Sequence, residues 1–258
     1  METSEEFSSI LANFCKNIES INELMKLDSL IQNTCIGSLE KSISVISKNG
    51  FANNHPCLLP LNNILISMKQ IRNNESLRPY YEVVYNQSIV LLVSYFAFTL
   101  QDLFSVALAS KISSKNLGAI ANEEIKVSLI ELYGFDSVPL PQAIADLLII
   151  KKDISFQDMK SVARTFKDYI GFEPAQDTDV NNIILGQACR HAIVHNGATA
   201  NEKTIGQILK AVPRNIKVEL SKGQKIVFTP DEVKNIGDCM IRYSKNLIKN
   251  TCNVLKNN

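Results

Sequence analysis

Apolar residues recur three and four positions apart along most of this chain, so helices dominate the expected structure. Thr3 and Glu6 have capping-box spacing, and Phe7, Ile10, Leu11, Phe14, Ile18, Ile21, Leu24, Met25 and Leu27 follow as one face of a long amphipathic helix. Ile36, Leu39, Ile43 and Ile46 predict a second helix over 35–47, ended by Asn49-Gly50. Asn53, Asn54, His55, Pro56 and Pro60 mark a loop, and 61–71 is helical again. The polar run Arg72-Asn73-Asn74-Glu75-Ser76 is the expected boundary between an N-terminal helical region, 1–75, and the remainder, 76–258.

From Pro79 a long helix runs through Val83, Ile89, Leu92, Val93, Phe96, Leu100, Phe104 and Leu108. It is apolar nearly all round, which predicts the centre of a bundle. Shorter helices are expected at 122–133, 141–151 and 155–168, punctuated by Gly134, Pro139, Pro141 and Asp153. Asp177 or Thr178 caps a helix carrying Val180, Ile183, Ile184 and Ala188, which Asn196-Gly197 ends. Two β-branched stretches, 217–220 and 225–228, flank Ser221-Lys222-Gly223-Gln224 and predict a small β-hairpin near 216–229. Thr229-Pro230-Asp231-Glu232 caps a last helix through Val233, Ile236, Met240 and Leu247. The expected class is mainly α: a helical bundle with an inserted hairpin and an N-terminal helical extension.

Composition narrows the functions. With 258 residues, 45% hydrophobic, the chain can bury a sizeable core. Lys plus Arg number 27 against 26 for Asp plus Glu, so contact with a nucleic acid must be local. Six cysteines without Cys-x-x-Cys spacing read as reduced thiols, and the opening Met-Glu-Thr-Ser-Glu-Glu has no secretory leader pattern; a cytoplasmic location is expected. The apolar stretch 89–100 is about half of the ~20 residues a membrane span needs, so no membrane partner is expected.

Reactive chemistry concentrates at 190–197, Arg-His-Ala-Ile-Val-His-Asn-Gly, where two of the three histidines stand beside an arginine. A permanent cation next to an imidazole that titrates near neutrality suits phosphodiester cleavage: one group holds charge, the other moves a proton. On a helix His191 and His195 share a face, whereas Arg190 and His195 lie about 140° apart. Arg190 lies on the side of Ile183 and Val194, so its stem is expected to be buried and its guanidinium needs an acceptor, either a bound phosphate or a structural carboxylate such as Asp102 or Asp146. His195 sits in the terminal turn, where the helix dipole favours the imidazolium, and Asn196 offers an orienting amide. The bland alternative makes His195 and Asn196-Gly197 an ordinary helix end. A zinc site on the His191/His195 pair lacks further ligands: His55 is the only other histidine, and no metal or cofactor is expected. Cys189 reads as a packed thiol, since no base is placed for a nucleophile.

The motif Arg190-x-x-Ile193-Val194-His195, with Gly197, Asn201, Glu202 and Lys203 behind it, resembles that of the HEPN superfamily (higher eukaryotes and prokaryotes nucleotide-binding). It is most similar to the RiboL-PSP-HEPN branch, and residues 91–104 resemble that branch's first long helix. The likeness spans about 80–255. Two positions depart: Ala97 stands where the family often has Glu, and Gly197 where the nucleotidyltransferase-paired subgroup has Tyr.

The resemblance implies a metal-independent endoribonuclease, a toxin or antiviral defence effector, acting as a homodimer with a composite active site. It implies His195 as general acid or base, Arg190 as stabiliser of transition-state charge, and His191 and Asn196 as supporting groups. Attack by a ribose 2′-hydroxyl would leave 2′,3′-cyclic phosphate and 5′-hydroxyl ends. RNA is the expected partner, with an inhibitor or sensor protein as a further one. Lys203, Lys210 and Arg214 begin a basic series, continued by Lys217, Lys222 and Lys225, that could guide RNA or form a solvated face. The alternative reading is a catalytically silent helical module that binds a nucleotide or a partner protein.

Overall fold

The computed structural model describes residues 2–48, 56–73, 78–134 and 137–257, and it is mainly α-helical. The expected Asn49-Gly50 stop, the loop around 53–55 and most of the polar run at 72–76 lie outside the described residues. Helix α1 spans Glu2–Lys48, α2 Leu58–Asn73 and α3 Arg78–Ser113. Two expected helices are thus one continuous α1. The intervening Asp28-Ser29-Leu30-Ile31-Gln32-Asn33-Thr34 contains neither Gly nor Pro, so nothing there forces an end.

Helix α3 is the axis of the bundle. Ile89, Leu92, Phe96, Leu100, Phe104 and Leu108 are almost wholly buried, and Phe7, Phe14, Ile18 and Ile21 of α1 join the same core. By length and composition alone α3 could cross a bilayer, yet half of its most apolar window is buried inside the protein. A 3-10 turn, Gly118–Asn122, and the short α4, Leu129–Tyr133, follow, with 123–128 in neither helix nor strand where a helix was expected. Helix α5, Leu140–Lys151, packs on α3, and α6, Met159–Thr165, runs on into a π-helical turn, Phe166–Ile170. Phe104 meets Phe156 and Phe166 with ring centroids 5.5 and 5.6 Å away. Buried Lys111 donates to the carbonyls of Tyr169 and Ile170, 3.2 and 3.1 Å away, and so ties the end of the π turn to α3.

Helix α7, Thr178–His195, carries the reactive cluster. Asp177 caps it by accepting from the Val180 amide at 2.9 Å. Gly186 lets α7 approach its neighbours closely: a Cβ there would stand 3.3 Å from Ile236 and 3.9 Å from Val93. The helix ends as expected at Asn196, with Gly197 left-handed at φ 58°. Helix α8, Glu202–Ile208, and α9, Pro230–Asn257, follow, α9 opening on the expected capping box of Thr229 and Glu232.

The hairpin near 216–229 does not form. Ser221–Gln224 do make a turn, but no strand is present among the described residues, and Lys217 has φ 41°. The second arm pairs elsewhere: Ile226 N donates to Ala198 O, Ala200 N to Gln224 O, and Gly223 N to Ala200 O. Buried Asn86 of α3 then takes the strand neighbour's place, donating to Ile226 O at 2.8 Å and accepting from Phe228 N at 3.2 Å. A side-chain amide presents the same donor and acceptor as a backbone peptide, so one asparagine satisfies what a paired strand would have.

Candidate functional site

The last two turns of α7 and the loop behind them bring Arg190, His191, His195 and Lys203 into one neighbourhood. The His191 and His195 rings lie 4.8 Å apart at 50°. Burial holds the His191 pKa below its ordinary value near 6.5, and the charges of Lys203, His195 and Arg190 lower it further. His195 is exposed and His191 half-buried. No carboxylate bonds to either ring among the described residues.

Arg190 is the decisive side chain. It is half-buried, its Nε has no hydrogen-bond partner, and no ion pair among the described residues engages it. The carboxylates that could have neutralised it are engaged elsewhere or apart. Asp146 accepts from Ser105 at 2.6 Å and from Gln142 at 3.0 Å, and Asp102 is raised by its own burial and by Asp146. A guanidinium half-withdrawn from water without an acid beside it is a standing demand for an anion.

Asn196 closes the helix through its backbone: its amide donates to Ala192 O at 2.9 Å and its carbonyl accepts from Thr199 N at 3.1 Å. Its side-chain Nδ2 is buried without a partner among the described residues. Two unpartnered buried donors, the Arg190 Nε and the Asn196 Nδ2, thus flank the terminal turn that holds His195. Asn201 caps α8 by accepting from the Thr204 amide at 2.9 Å, and this turn presents Lys203.

The basic series divides by what each cation already holds. Arg214 donates to the carbonyls of Ile208, Ala211, Lys217 and Val218 at 2.8 to 3.3 Å, which commits its fork to the 208–218 loop instead of to RNA. Lys217 bonds Glu232 at 3.1 Å and lies over the Phe228 ring, Lys222 pairs with Glu202, and Lys225 with Glu82. No ion pair among the described residues uses Lys203 or Lys210. Cys189 is fully buried with its thiol pushed up to about 12 by burial, the packed thiol expected. No group of His, Cys, Asp or Glu suited to a metal ion occurs among the described residues, and His55 lies outside them.

Sequence reasoning missed a further set of polar groups. Gln187, one turn before His191, and Tyr243 of α9 carry a buried Nε2 and a buried hydroxyl without partners. The signal was a lone glutamine among Ile184, Leu185, Ala188 and Cys189 on a core helix. Compared with protein families, with curated proteins and with solved structures, the chain matches none.

Proposed function

We propose that this protein is a metal-independent endoribonuclease of HEPN type, with its bundle arranged as in that superfamily. The observation that carries the reading is Arg190: a half-buried guanidinium with an unpartnered Nε and no ion pair among the described residues, whose charge reaches His191 together with those of His195 and Lys203. Such a cluster suits the phosphate of RNA. Arg190 and Lys203 hold the charge on the non-bridging phosphate oxygens, and Asn196 adds a neutral donor. His195, exposed at the helix end, takes the proton of the attacking 2′-hydroxyl or delivers one to the departing 5′-oxygen, and His191 orients the phosphate beside it. Two copies of the motif supply both a base and an acid to one cleft, the reason for a homodimer with a composite site.

The test is cleavage of a mixed RNA by the full chain and by His195→Ala in excess EDTA. The wild type yields 2′,3′-cyclic phosphate and 5′-hydroxyl ends and leaves the 2′-deoxy analogue intact; the variant yields none. Loss of cleavage in chelator, or equal cutting of DNA, defeats the mechanism. The setting of such an activity, a cytoplasmic toxin or antiviral effector, is read from growth of cells expressing either form.

A second reading, a silent module that binds a partner protein, draws on a different region. Leu24, Leu27, Leu30 and Ile31 of α1 and Leu59 of α2 are exposed apolar side chains of the two N-terminal helices. If wild type and His195→Ala behave alike on RNA and in cells, this reading replaces the first.

A further inference from the structure

Beside the 190–195 cluster lies a groove of about 1150 Å3, walled by α6 and its π turn, α7, α8 and the 173–176 segment. Helix geometry puts it on the same face of α7 as the histidines of the cluster. Ile184 and Gln187 line the groove, and at intervals of three and four residues they lead on to His191 and His195 along the same face of α7. Gln207 of α8 and Lys210 just after it line the groove, and Lys203, one turn before Gln207, is the lysine beside His191.

The groove sorts its chemistry by depth. Its walls include Met159, Val180, Ile184 and Pro174, which are apolar. Gln187, 9% exposed, and Tyr243, 7% exposed, are its buried polar groups, and Gln187 Nε2 and the Tyr243 hydroxyl have no hydrogen-bond partner among the described residues. The glutamine's orientation is fixed chemically. Its Oε1 accepts from the Met159 amide at 3.2 Å, a role only the oxygen can fill, so both hydrogens of Nε2 remain unused. At the rim stand Lys160, Arg164 and Lys210, none in an ion pair among the described residues, while Glu173 holds Lys167 at 2.7 Å. Asp158 caps α6 through the Ser161 amide, which leaves Asp168 as the uncommitted carboxylate among the lining residues.

We infer that this groove, through Gln187, Tyr243 and the rim cations, seats a ribonucleotide flanking the scissile phosphate and selects uracil or guanine by the oxygen at C4 or C6, where cytosine and adenine carry an amine. This deepens the ribonuclease reading and rests on it for the word flanking. Apolar walls take the faces of a base, not a phosphate, whose charge belongs at the rim. Gln187 Nε2 can only donate, so with the C4 or C6 edge of the base turned towards it, it rewards the oxygen of uracil or guanine and leaves the amine of cytosine or adenine facing another donor. Gln187 precedes His195 by eight residues, about 12 Å along the helix, so the base seated here belongs to a neighbour of the reacting ribose.

Calorimetric titration of the full chain with UMP, GMP, CMP and AMP, beside inorganic phosphate, tests the inference without requiring turnover. UMP or GMP should bind about tenfold or more tightly than CMP and AMP. Gln187→Glu keeps an acceptor for the Met159 amide but replaces the donor, and should erase or invert that preference. Lys210→Ala, at an exposed rim position, should weaken all four nucleotides alike and keep the preference whatever becomes of the core variant. Equal affinity for the four bases, a preference unchanged in Gln187→Glu, or phosphate alone binding as tightly as UMP overturns the proposal. Base-selective binding without RNA cleavage would sink the ribonuclease reading and leave the groove; cleavage without base selection would do the reverse.

Discussion

His191 and His195 place their rings 4.8 Å apart on adjacent turns of α7, with no carboxylate bonded to either among the described residues. Burial is the largest cause that disfavours protonation of His191, and the charges of Lys203, His195 and Arg190 add to it. The His191 pKa lies below the ordinary value near 6.5, which favours the neutral ring, able to accept a hydrogen bond. A bound phosphate supplies the missing negative charge and reverses the effect.

The first prediction is a titration. The ring C–H resonance of His191, assigned through His191→Gln, should move at a pH below 6.5 in the free protein and at a higher pH with saturating phosphate or mononucleotide. An unmoved midpoint would mean that no anion enters the cluster.

The same depressed value links to stability. The group is lowered in the folded chain, so its contribution is fully present above the unfolded value near 6.5 and is lost as pH falls through the folded value. Melting temperature should drop between pH 7.5 and the pH of that lower midpoint more steeply in the wild type than in His191→Gln. Parallel curves for the two proteins would remove the linkage.

Arg190 makes an unusual prediction for a half-buried charge. Removing one member of a buried ion pair costs several kcal/mol, but Arg190 has no ion-paired partner to abandon among the described residues. Arg190→Ala should therefore change stability by no more than about 1 kcal/mol in denaturant unfolding, while RNA cleavage falls by about 10²- to 10³-fold. Arg190→Lys should restore charge but not the planar fork, and recover only part of the rate. A large loss of stability with unchanged cleavage would assign Arg190 to the core.

The helices were legible because their faces are written in the spacing of Phe96, Leu100, Phe104 and Leu108 and in caps such as Asp177 and Thr229. Where periodicity is absent, tertiary partners decide. Nothing local in 217–228 reveals that Asn86, some 140 positions away, holds the second arm as a strand would. The cluster at 190–197 was visible as composition, yet the fate of each cation was not. Arg190 and Arg214 look alike in sequence; one keeps an unpartnered Nε and the other spends its fork on loop carbonyls. Gln187 escaped notice because a glutamine on a core helix gains meaning only from what Met159 does with its oxygen.

That contrast gives a fourth prediction. Arg214→Ala removes the donors that satisfy the carbonyls of Ile208, Ala211, Lys217 and Val218, and should cost roughly 2 to 3 kcal/mol in denaturant unfolding. Loosening the 208–218 loop also frees the neighbouring Lys210, so nucleotide affinity should fall with stability. Weakened RNA binding in a variant of full stability would instead place Arg214 on the RNA path.

The last prediction concerns assembly. Val194, between the two histidines, is 48% exposed, an apolar side chain at the surface of a polar cluster. In a dimer joined across the two α7 ends it is covered, and light scattering should report about twice the 28.8 kDa chain mass. Val194→Asp should return the chain to monomer at little cost to its own fold and abolish cleavage with Arg190 and His195 intact. Mixing settles whether the site is shared. Arg190→Ala and His195→Ala, each inactive alone, should regain part of the activity when unfolded together and refolded, because each mixed dimer carries one guanidinium and one proton carrier in the same cleft. A monomeric wild type, or mixed chains as inactive as their parents, would confine the chemistry to one subunit.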